Sequence, residues 1–202
     1  RNRYYLFLLL ALGATMGIFL SGDLYTTFIF FEMMSFASYV WVVQEETPEA
    51  VSASRSYLTI GVLGGLVTLM GVFLLYHLAG TLQLDALRDA CAAVENRRLL
   101  YAAGGCILFG FAAKAGMFPL HFWMTRSYTA APAPATAILS AVLSKAGIFG
   151  VLIVSCDMFY RDADWGMLIL MLGVVTMLLG AVLGLFSVNL KRTLACSSMS
   201  QI

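Results

Sequence analysis

Long apolar runs, broken by short clusters of charged and turn residues, divide the chain into six spans at residues 4–20, 24–43, 57–79, 99–117, 134–156 and 165–188. Each is close to the roughly 20 residues a helix needs to cross hydrocarbon, and a further helix is expected to begin near Leu194. The pattern predicts an all-α fold, a polytopic transmembrane helix bundle of about six spans forming a single membrane domain over residues 1–202. Ser21-Gly22-Asp23 leaves so short a turn that the first two helices must be antiparallel neighbours, and Glu45 to Pro48 closes the second. The long connection from Gly80 to Arg98 carries a weak amphipathic pattern at Leu82, Leu84 and Leu87, which predicts a surface helix or hairpin.

The fourth span is interrupted. Gly116 and Pro119 follow Lys114 closely, and the apolar sequence resumes through Leu120, Phe122 and Trp123. Proline lacks an amide hydrogen and clashes with the preceding turn, so the helix is expected to break just after Lys114. In lipid, freed backbone groups survive only where protein or water can satisfy them, and a broken helix therefore points to an ion site.

Composition sharpens this picture without changing it. Hydrophobic residues make up 61% of the chain and charged residues 11%, against about 45–50% and 25% in soluble domains. A net charge of +1 favours no nucleic acid or acidic partner. Cys91, Cys106, Cys156 and Cys196 show no CxxC spacing and read as apolar packing residues. His77 and His121 are the only histidines, so neither a metal nor a cofactor is expected. The side holding the N-terminus collects Arg1, Arg3, Arg55, Arg126, Lys191 and Arg192, and the opposite side Arg88, Arg97, Arg98 and Arg161. Six against four leans towards a cytoplasmic N-terminus. The absence of an initial methionine and the form of the Ser197 to Ile202 end suggest an internal piece of a longer protein.

Three ionisable residues fall inside the predicted spans. Glu32 lies about 12 Å along its helix, near the midplane, and Lys145 is also central; Lys114 stands at the break. Each costs about 2.5–3.5 kcal/mol at mid-membrane on insertion-derived scales. A Glu-Lys pair about 6 Å apart couples by about 3 kcal/mol at an effective dielectric near 20, similar to the roughly 2.3 kcal/mol needed to move one charge through 100 mV. Lysine, unlike arginine, can lose its charge in an apolar site. Proton transfer through these groups is the functional reading. The structural alternative pairs Glu32 with one lysine while the other reaches a headgroup. Ser140, Ser144, Gly147, Ala112, Ala113 and Thr136 are small enough to let helices close in and to hold a water chain. His121 suits either a proton relay or an interfacial anchor beside Trp123, while His77 reads as interfacial and Asp23 as a solvated loop residue.

The stretch 108–123, Leu-Phe-Gly-Phe-Ala-Ala-Lys-Ala-Gly-Met-Phe-Pro-Leu-His-Phe-Trp, with Ala131-Pro132-Ala133-Pro134 and Leu143-Ser144-Lys145-Ala146-Gly147 after it, resembles the proton-conducting antiporter-like membrane subunits. That family comprises large membrane subunits of respiratory complex I, membrane-bound hydrogenases and Mrp-type antiporters. Phe30-Phe31-Glu32 resembles the family's glutamate helix, and Leu190-Lys191-Arg192-Thr193-Leu194 the opening of a later helix. Met124-Thr125-Arg126-Ser127 departs from the Leu-Pro-Asp or Leu-Pro-Glu found in many relatives. The resemblance implies a first inverted five-helix repeat plus the start of the second, with Glu32, Lys114 and Lys145 in proton transfer, to which the reading of the residues adds His121 as a candidate relay. It also implies partner membrane subunits, an inner-membrane location in a bacterium or archaeon, and redox chemistry in those partners rather than in this chain. A Na+/H+ antiporter subunit and a non-transporting scaffold remain the alternatives.

Overall fold

A computed structural model describes residues 2–202; Arg1, counted above among the cations, lies outside the described residues. The helices are α1 (Asn2–Leu20), α2 (Leu24–Val42), α3 (Pro48–Ala79), α4 (Leu84–Ala92), α5 (Arg97–Ala115), α6 (Phe122–Ala130), α7 (Ala133–Ile138), α8 (Ser144–Ile153), α9 (Ala163–Leu185) and α10 (Leu190–Gln201). A wide π-type turn at Leu139–Leu143 joins α7 to α8, and another at Val154–Met158 extends α8. Together they form one rod over Ala133–Met158.

Among the described residues, five segments are long and apolar enough to cross a membrane: α1, α3, α5, the α7–α8 rod and α9. The sixth expected span, α2, has the same length as α1 but is diluted by Thr26, Thr27, Glu32, Ser35 and Ser38. It packs against both α1 and α3, with Thr27, Ser35 and Ser38 buried. Each of the three bonds a carbonyl of its own segment, and the inward setting gives Ser38 a second partner in Tyr57 of α3.

Local chemistry sets the boundaries. Asp23 caps α2 by accepting from the Thr26 amide at 2.8 Å, and Thr47 caps α3 through the Ala50 amide at 3.1 Å. Thr47-Pro48 is a cap followed by a first-turn proline, so α3 starts about two and a half turns before the expected residue 57. The amphipathic pattern after Gly80 becomes α4, which buries Leu87 and Cys91. Its entry pairs with the α1–α2 turn: the Leu24 amide donates to the Leu82 carbonyl at 2.9 Å, and the Leu84 amide to the Gly22 carbonyl at 3.0 Å. On the same side, Arg88 pairs with Asp157 at 3.5 Å, and Trp165 stacks on Phe159 with ring centroids 4.0 Å apart. Tyr101 donates to Asp162 at 2.5 Å, and that hydrogen bond holds the Asp162 carboxyl below the usual carboxylate range.

Cys91 and Cys196 are buried, and burial pushes the Cys91 thiol up to about 11, leaving it a neutral packing group. Cys156, expected to pack, is exposed, because it points outward from the π-type turn.

The centre of the bundle is the crossing of α3 with α5. At Gly110 any Cβ would enter the Thr68 hydroxyl and stand 2.5 Å from the carbonyl oxygen of Gly64. The two backbones meet at that point, as small residues allow between membrane helices. Because a backbone carbonyl cannot step aside, Gly110→Ala is expected to part α3 from α5 at a cost of about 1–3 kcal/mol. Thermal unfolding in detergent micelles should record a lowered midpoint; an unchanged one would mean that the crossing is not where this geometry puts it.

Candidate functional site

Lys114 occupies the last turn of α5, in the run 110–115 that is buried throughout; the lysine itself is 4% exposed. Gly116, at φ +82°, stops the helix in the left-handed conformation that glycine tolerates, and α6 begins only at Phe122. The expected break is therefore present. Its loose ends are tied: the Gly116 and Met117 amides both reach the Ala112 carbonyl at 3.0 Å, and Trp123 Nε1 reaches back to the Ala113 carbonyl at 2.7 Å. The Phe118 amide donates to Thr176 Oγ1 of α9 at 3.0 Å.

Lys114 Nζ donates to the hydroxyl of Tyr57 on α3. The same hydroxyl lies 2.5 Å from Ser38 Oγ on α2, and the Trp123 ring meets Tyr57 edge-on at 5.1 Å. One lysine is thus held by residues of α2, α3 and α6 across the break. Tyr57 and Ser38 are not among the candidates drawn from sequence. With the third span started at residue 57, Tyr57 reads as an edge aromatic; the Thr47-Pro48 cap is the signal that it lies well inside the helix.

Glu32 faces α3 from the middle of α2. Its carboxylate rests on Gly65, where a Cβ would collide with it. One oxygen, Oε1, is enclosed and has no hydrogen-bond partner. The structural ion pair considered above does not form: among the described residues the side-chain ion pairs are Arg3–Glu46 and Arg88–Asp157. Tyr57 stands between the two charges instead. It lines a small void with Glu32, Ser35 and Gly61, and a second with Gly110, Lys114 and Trp123. On its other side Glu32 opens to an apolar groove lined by Phe7, Leu10, Phe28 and Phe36.

Lys145 is not brought to this group. Its central place in the span predicts burial, yet it is exposed, with Nζ donating to the Ser140 carbonyl at 3.1 Å. The rod turns Ala146, Gly147 and Gly150 inward onto α5, which puts Lys145 on the outer stripe with Ala141 and Leu152. His121 sits at the start of α6, half-buried between Phe118 at 6.1 Å and Phe122 at 5.9 Å, and its Nδ1 is enclosed without a partner. The small and hydroxylated residues split: Ala112 and Ala113 directly precede Lys114, whereas Ser140, Ser144 and Thr136 gather elsewhere. There Ser140 meets Ser198 at 2.7 Å, Tyr128 meets Ser144 at 3.3 Å, and Thr136 donates to the Tyr128 carbonyl at 3.0 Å.

Residues 21–202 match the family model described as NADH:quinone oxidoreductase/Mrp antiporter, TM. The chain belongs to this family. As a family member it is an integral membrane protein. It is 33% identical over 205 residues to a Na(+)/H(+) antiporter subunit of Alkalihalophilus pseudofirmus, a match covering all of this chain and 42% of that protein. It is 30% identical over 203 residues to hydrogenase-4 component B of Escherichia coli, covering 95% and 30%. A protein chain in the structure of the membrane-bound sulfane sulfur reductase, an archaeal respiratory membrane complex, superposes with a TM-score of 0.90 at 29% identity, over 98% of this chain and 41% of that one. The chain thus spans less than half the length of each of these antiporter-family relatives.

Tyr57→Phe leaves the Lys114 amine without its protein partner and is expected to lower stability by about 1–3 kcal/mol. Lys114→Met in the same chain removes the stranded group, so the double variant should lose less than the sum of the two single losses. Strictly additive unfolding midpoints would show that the two side chains do not interact.

Proposed function

We propose that this chain is part of a proton-translocating subunit of a larger membrane complex, with Glu32 and Lys114 as its proton-bearing groups and Tyr57 between them. A single observation carries the reading: a lysine buried where an apolar helix breaks, held by the hydroxyl of a tyrosine that also lines the glutamate's void. A charged amine in that position costs about 2.5–3.5 kcal/mol, and a purely packing role would be served at less cost by methionine or leucine. Loading and unloading Lys114 changes what Tyr57 must satisfy. That gives the two protonation states different local hydrogen bonding, the minimum a transfer site needs.

His121, inside the break, and Lys145, on the outer face of α8, extend the path beyond the central pair, with Lys145 acting where another helix covers it. The chain forms one membrane domain equivalent to the first inverted repeat and the opening of the second. The reading includes a bacterial or archaeal inner membrane, the α1 start in the cytoplasm, partner membrane subunits, and redox chemistry confined to those partners. A second reading is favoured by one observation, the match of the whole chain to a Na(+)/H(+) antiporter subunit: the same groups exchange protons against a monovalent cation.

Lys114→Met in the full-length protein, assembled in its complex, is expected to abolish proton movement into inverted membrane vesicles while leaving the amount of complex unchanged. Glu32→Gln should reduce it at least tenfold, about 1.4 kcal/mol of barrier. Wild-type pH-gradient formation by the lysine variant would refute the reading. Proton release that depends on added sodium would select the exchanger.

A further inference from the structure

The outermost helix, α9, is an unexpected neighbour for the break. Over its length only Trp165, Thr176 and Gly180 are buried, and its surface otherwise shows Met167, Leu170, Met171, Leu178 and other large apolar side chains to the outside. Ile169, Leu172 and Leu179 pack partly against the core, and the three buried residues make specific contacts. Trp165 stacks on Phe159 and donates to Ser155 at 3.2 Å at one end, and Gly180 lies against Cys196 and Ser200 of α10 towards the other. Between them Thr176, 1% exposed, meets the segment that interrupts α5.

That contact has a defined polarity. Thr176 donates its hydroxyl proton to the Leu172 carbonyl of its own helix at 2.6 Å, leaving the oxygen's lone pairs to accept the Phe118 amide at 3.0 Å. Phe118 is four residues beyond Lys114, outside either helix, and its amide has no turn of its own to donate to. In a medium without water such a donor needs a partner, and the structure gives it one from a helix that contributes nothing else to the site. Serine and threonine are the residue types that can accept here while donating to their own helix; valine, of the same shape, can do neither.

We propose that Thr176 is a positioning residue for the broken helix: it fixes the 116–121 segment, and through that segment the setting of Lys114, without touching any group that carries the proton. The assignment rests on the proton-transfer reading of Lys114. It adds that α9 is mechanically connected to the site, so that displacement of α9 along its axis is felt at the break.

The test uses the full-length protein in its membrane complex, with Thr176→Val, Thr176→Ser and Lys114→Met examined by vesicle pH-gradient formation over a range of pH and by amide hydrogen exchange of the peptide containing residues 117–121. Thr176→Val is expected to speed exchange in that peptide, to slow transport about tenfold and to move the pH of half-maximal transport, with normal amounts of complex. Thr176→Ser should restore all three. A valine variant that transports at the wild-type rate with the wild-type pH profile, beside an inactive Lys114→Met, overturns this proposal and leaves the transfer reading standing. An active Lys114→Met overturns both. If the valine variant fails to accumulate, Thr176→Ala is judged by the same measurements and the same outcomes.

Discussion

A helix that stops inside a bilayer must have its backbone satisfied by something other than water, and the rest of this structure is arranged around that requirement. The chain stops α5 at Gly116 and does not restart until Phe122. Each freed end is then met from a different direction, by the Trp123 indole from α6 and by the Thr176 hydroxyl from α9. Only with those ends secured can a lysine sit in the final turn at 4% exposure, donating to a tyrosine instead of competing for the loose carbonyls. The break creates a polar site in an apolar solvent, and the neighbours decide how large that site becomes.

The close crossing of α3 and α5 serves the same end. Gly64 and Gly110 let the two helices approach until backbone meets backbone, which carries Tyr57 within reach of Lys114, one turn beyond Gly110 on α5. A wider separation, with side chains interposed, would leave the amine without a partner. Packing by small residues and stationing of a charge are here one requirement, and van der Waals contact between helices supplies the energy for both.

Much of this is legible in sequence because it rests on residues whose backbone or solvation chemistry is strong. Pro119 and Gly116 mark the break, long apolar runs mark the spans, and Glu32 and Lys114 stand out as charges in the wrong solvent. Less legible is anything that depends on helix rotation. Lys145 and Ala146 are adjacent in sequence, yet one faces out and the other in, and the π-type turn before them resets the phase that a regular helix would have kept. Tyr57 is hidden differently: Arg55 and Glu49 look like loop residues and push the expected start of α3 to residue 57, although the Thr47-Pro48 cap outweighs them.

Hydroxyl groups show why counting polar residues in a membrane chain does not find its site. Thr15, Ser35 and Thr68 each donate to a carbonyl of their own helix and connect nothing. Ser38, Ser198 and Thr176 belong to the same residue classes, bond a carbonyl of their own helix as well, and differ in having a second partner on another helix or segment. Two of those three cross-links, from Ser38 and Thr176, lead to the break in α5, one through Tyr57 and one through Phe118. A hydroxyl that bonds only to its own helix costs nothing if the helix moves. One that bridges two helices fixes their relative height, and such bridges are therefore the elements through which movement of one helix reaches a buried charge on another.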